Sequence, residues 1–168
     1  MPPQAIFLIQ LVLGYVAWGL LFVAYVLPKV KVVDRFGALR AIATFHSFRF
    51  FGLIFILPGV VGANLPAAFA TFAAYGDFAT GVLALIALLT VKIRALFISF
   101  IVAFNVVGIV DVIVDYYHGV QFNLPEMAGQ LSGGYAIVVL YVPALMITHI
   151  LAFYLLARPA DQSALGRA

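Results

Sequence analysis

Two side chains of opposite charge sit near the middle of long apolar stretches. Arg49 lies in the stretch ending at Val60, and Asp77 lies within residues 64–85. Together they are the ingredients of a buried ion pair, and the five donors of Arg suit a site with two acceptors. On a later apolar stretch, Asn105, Gly108, Asp111 and Asp115 cover an arc of roughly 120° at about 100° per residue. His46, three residues before Arg49, shares its helical face. This spacing predicts one polar site that binds a small polar ligand or relays protons. In it Arg49 supplies fixed positive charge, Asp77 is its counter-ion and Asn105 is an orienting amide. Asp111 and Asp115 form an acidic mouth, with His46 close by. The alternative is a satisfied ion pair that fixes helix register. Charges at membrane depth lean toward function, because each costs at least about 2.5–3.5 kcal/mol to place there.

His46 and His149 lie on different stretches. Two such imidazoles could serve as axial ligands of a b-type haem. The competing reading gives each a hydrogen bond to a neighbour such as Ser47 or Thr148. His118, Asp115 and Glu126 are metal-ligand types within reach along the chain, but no metal is expected. With no cysteine, disulfides and thiolate chemistry are excluded. No glycine-rich phosphate loop, nucleotide fingerprint or Ser-His-Asp order is present, so no residue is assigned a catalytic role.

The elements that must carry these residues follow from composition. The chain is 66% apolar and 9% charged, whereas soluble chains are about half apolar and about a quarter charged. Apolar runs of about 20 residues cross a hydrocarbon core of about 30 Å as helix, and the two-residue alternation of a barrel is missing. The expectation is an all-α polytopic membrane protein, one transmembrane domain over 1–168, with five spans near 5–27, 41–60, 66–90, 95–117 and 135–157. The start, MPPQAIF, has neither a positive n-region nor a cleavage site, so the first run is expected to be retained.

Pro28 is expected to stop helix one. Gln10 is its one strongly polar residue, so that helix should contribute least to any site. Helix three either runs straight from Pro66, or residues 66–75 form a separate interfacial helix with Asp77 capping the true span. Pro143 predicts a kink in helix five, where the carbonyl of Val139 loses its partner. Eight of the nine Lys and Arg fall in the loop after helix one, the turn after helix three and the tail. That asymmetry predicts an N-terminus outside and a C-terminus on the cytoplasmic side of the membrane. The expected surroundings are the lipid bilayer and either other membrane subunits or further copies of the chain. The scattered basic residues give no nucleic-acid signal.

A faint internal echo is present. Phe48-Arg49-x-x-Gly52 recurs as Phe104-Asn105-x-x-Gly108, and Asn64-Leu65-Pro66 recurs as Asn123-Leu124-Pro125. A duplicated helical hairpin would leave such a trace and would imply a four-helix core with helix one added.

From helix two to helix four the chain resembles a set of small multi-pass bacterial integral membrane proteins without an assigned function. The shared pattern falls on Arg49, Gly52 and Phe55; Leu65, Pro66, Phe69 and Ala70; Gly76 and Asp77; and Asn105, Gly108 and Asp111. The resemblance implies that Arg49, Asp77, Asn105 and Asp111 act as one unit. It brings no activity with it. Two other classes of role stay open beside the ligand or proton site. One is a non-catalytic subunit or scaffold of a larger membrane complex, and the other is a haem-bearing electron-transfer subunit.

Overall fold

A computed structural model describes residues 1–158. The polar tail expected after Pro159 lies outside the described residues. Five helices are long and apolar enough to cross a membrane: α1 (Pro3–Val30), α2 (Arg35–Ile56), α3 (Ala67–Leu89), α4 (Arg94–Gln121) and α5 (Gly134–Ala157). No named strand occurs among the described residues, so the fold is all-helical.

Pro28 does not stop α1. A π turn over Phe22–Val26 widens the backbone, with the Leu27 N–H reaching back to the Phe22 carbonyl. Pro28 then sits at the start of the following α segment, Leu27–Val32, where its missing N–H costs little. The same device recurs at Pro143. The π turn Ile137–Tyr141 precedes it, with the Val142 N–H on the Ile137 carbonyl. The expected break in the ladder is thus spread over a wider turn. Helix α1 docks where carbonyls of that turn are exposed: Trp18 Nε1 donates to the Leu140 carbonyl at 2.7 Å. Gly14, buried, lies so close to the Val139 carbonyl that a Cβ there would collide with it.

Helix α2 begins at Arg35, six residues earlier than expected, because Asp34 caps it. The Gly37 N–H donates to Asp34 Oδ1 at 2.9 Å. Its first part, Arg35–His46, is α-helical, and Ser47–Ile56 is wound as a 3₁₀ helix. Such runs seldom exceed three or four residues. With three residues per turn, His46, Arg49, Gly52 and Phe55 fall in one line, and all are buried. Phe48, Phe50 and Phe51 face outward. Helix α3 is one continuous helix with Asp77 about 15 Å from its start, at 1.5 Å per residue. Residues 66–75 therefore form no separate helix, and Asp77 does not cap the span. Gly76 serves close packing instead of breaking the helix. Helix α4 runs on past Tyr117 to Gln121, and Asn123, at φ 50°, turns the chain.

Two apolar clusters fill the bundle. One gathers Leu39, Ala43, Ala84, Phe97, Ile101 and Leu155 at the end where the described basic residues other than Arg49 lie, here the basic end. The other gathers Phe55, Leu65, Phe69, Ala74, Leu124 and Leu131 at the opposite, loop end. Between them, side chains of α2 to α5 form a polar layer.

A polar layer between two apolar cores

Helices α2 and α3 approach closely at Gly81. A Cβ there would lie 2.8 Å from the Phe50 backbone nitrogen, so only glycine admits the contact. That approach sets Arg49 beside Asp77. Ala73, Ala74, Asp77, Thr80, Gly81 and Ala84 are all buried along the α3 stripe. Arg49 is 1% exposed, so each of its nitrogens must find a partner inside the protein. Nε donates to Asp77 Oδ1 at 2.6 Å. Nη2 donates to Asp111 Oδ2 in a second ion pair. Nη1 donates to the Gly108 carbonyl at 3.3 Å and to His149 Nε2 at 3.1 Å. Arg49 thus engages Asp111 as well as its expected counter-ion Asp77.

The bonds beyond Arg49 have fixed directions. A guanidinium only donates, so His149 Nε2 accepts and the imidazole carries its proton on Nδ1. Nδ1 donates to Asn105 Oδ1 at 2.8 Å, and Asn105 Nδ2 donates to the Ile101 carbonyl at 2.7 Å. Asn105 therefore makes no hydrogen bond to Arg49. It orients His149, which does.

His46 also makes no bond to Arg49. Its Nε2 meets Thr148 Oγ1 at 2.9 Å, and its ring lies against that of His149, tilted by 45° with centroids 4.1 Å apart. That contact leaves no room for a porphyrin between the rings, so this pair does not fit the axial ligands of a haem. Among the described residues no group of three His, Asp or Glu is arranged to hold a metal. Glu126 instead accepts from Gln4.

The carboxyl groups are only partly engaged. Asp111 Oδ1 makes no hydrogen bond to the described residues and lies against Gly76, where a Cβ would strike it. Asp115 bonds to none of the others, and its Oδ1 is also without a partner. Asp115 and Asp77 instead line a cavity of about 370 Å³ between α1 and the rest of the bundle. Its walls are otherwise mostly apolar, including Leu8, Leu11, Phe55 and Phe69. Helix α1, expected to contribute least, thus supplies one wall. It is held there by Gln4 on Glu126, Tyr135 on Gln10, and Tyr15 with Tyr116 at 2.7 Å.

The sequence reading missed His149 as an Arg49 partner and Gln4 as a tether. The first had a signal: Asn105 and Gly108, one turn apart, both face His149. The second sits in the first turn of α1.

Fold and layer together define a class: a small all-helical protein with five helices suited to crossing a membrane and an ion-paired polar layer between two apolar cores. Within that class, the chain belongs to the family described as "Domain of unknown function (DUF8737)", whose model matches residues 6–157 and so takes in nearly all of the five helices. No curated protein and no solved structure matches the chain.

Proposed function

We propose that the chain is a multi-pass protein of the bacterial inner membrane whose polar layer binds a small polar ligand or passes protons. Its N-terminus lies outside, so the loop end and the cavity face outward. One observation carries the reading. Asp77, Asp111 and Asp115 stand against a single guanidinium, which is bonded to the first two and not to the third. A pair kept only to fix helix register needs one acid per base. The excess of acid must be balanced by protons or by a cationic guest. Arg49 supplies fixed charge, Asp77 and Asp111 share it, and His149 and Asn105 hold its third nitrogen in place. Asp115 is the group open to exchange.

The test uses the purified protein in vesicles containing a pH-sensitive dye. Proton exchange or ligand binding should be lost in Asp111→Asn and in the pair Arg49→Leu with Asp77→Leu. If the double variant inserts, folds and behaves as the parent, the layer is structural and the reading fails. A second role, as a non-catalytic subunit or scaffold, is favoured by α1, whose large side chains Leu13, Val16, Leu20 and Val23 stay exposed. A stoichiometric partner co-purifying with the chain would support it.

A further inference from the structure

The cavity beside Asp115 has a chemistry of its own. Its volume of about 370 Å³ falls in the range of small-molecule sites, about 300–1,000 Å³. Its polar lining is confined to a few groups. Asp77 and Asp115 belong to it, and Gln4 and Asn123 lie toward the loop end. The rest is almost wholly hydrocarbon and aromatic ring.

An anion there would face two carboxyl groups with Arg49 already occupied. A sugar would leave most of its hydroxyls unpaired against Phe and Leu, which is costly in a dry site. An inorganic divalent cation asks for six or more oxygens, and no group of three His, Asp or Glu among the described residues is arranged to hold a metal. What the walls and the charge both fit is an apolar body with one positive head.

We infer that this cavity binds an amphipathic organic cation, an amine or ammonium whose head pairs with Asp115 near Asp77 and whose hydrocarbon body lies between α1 and the Phe55–Phe69 wall. The inference rests on the proposed reading that the polar layer takes a guest, and it names the guest's class. The Asp115 carboxyl lines the cavity and makes no hydrogen bond to the described residues, and that is the observation that asks for the head. The charge count, three acids to one base, asks for the same sign.

The test is titration of the full chain in phosphatidylcholine nanodiscs with 1-naphthylmethylamine and with its neutral counterpart 1-naphthylmethanol. The amine should bind roughly tenfold tighter than the alcohol, and Asp115→Asn should remove that preference while leaving the alcohol unchanged. Leu11→Trp, which fills the cavity, should weaken both. Equal binding of amine and alcohol would mark the cavity as an apolar pocket for a lipid chain and overturn the inference. Should Asp115→Asn not fold, unchanged amine binding by Leu11→Trp would overturn it equally. If the amine fails while Asp111→Asn still abolishes proton exchange, the inference falls and the proposed function stands. Loss of both sinks both.

Discussion

Arg49 has no nitrogen left over, and that decides what its removal does. Arg49→Leu strands two buried carboxyl groups, so it should lower stability by about 3–5 kcal/mol. Adding Asp77→Leu should cost less than the sum of the two single changes by about 0.5–3 kcal/mol, read by thermal unfolding in detergent. Arg49→Lys should not rescue, because one ammonium cannot span Asp77, Asp111 and His149 together. Asn105→Leu leaves the His149 Nδ1–H without its acceptor and should cost about 1–3 kcal/mol without touching either ion pair. Arg49, Asp77 and Asp111 were legible as a unit because charges are rare in such a chain and must meet. The contact through His149 was less plain: Asn105 and Gly108, one turn apart, mark a shared face, but residue types alone do not say which residue of α5 meets it.

At the scale of the helix, glycines decide which pairs can close. In the first hairpin Arg49 bonds Asp77, and Gly52 one turn on lies against the same aspartate. In the second, Asn105 bonds His149, and Gly108 lies against the same histidine. The matched Arg49/Asn105 and Gly52/Gly108 positions thus make analogous contacts, although Phe48 faces outward where Phe104 is buried. Gly52→Ala and Gly76→Ala should each destabilise the fold by about 1–3 kcal/mol through overpacking. Gly129→Ala, with open space around it, should be nearly neutral. A comparison of melting temperatures checks all three.

The 3₁₀ winding of α2 was not readable, because which of its many apolar residues are buried is seen only in the structure, where His46, Arg49, Gly52 and Phe55 fall in line. The passage of α1 through Pro28 was not readable. It turns on a π turn that leaves no signature in local composition.

For the molecule as a whole, the number and kind of the helices followed from hydropathy, and the expected direction of insertion follows from charge. The chain has no cysteine, so single introduced ones report cleanly. Ser132→Cys should react with a membrane-impermeant maleimide in intact cells, and Lys92→Cys only after lysis. The reverse pattern would invert the topology and turn the cavity toward the cytoplasm.

One feature of α2 links the two ends of the bundle. At about 2.0 Å per residue its 3₁₀ segment spans roughly 5 Å more than the same ten residues would as α-helix. Rewound to α, the turn from Arg49 to Phe55 would slip by about 120°, taking Phe55 off Phe69 or Arg49 off Asp77. The segment works as a screw thread between charge and hydrocarbon: neither contact can be released without turning the other.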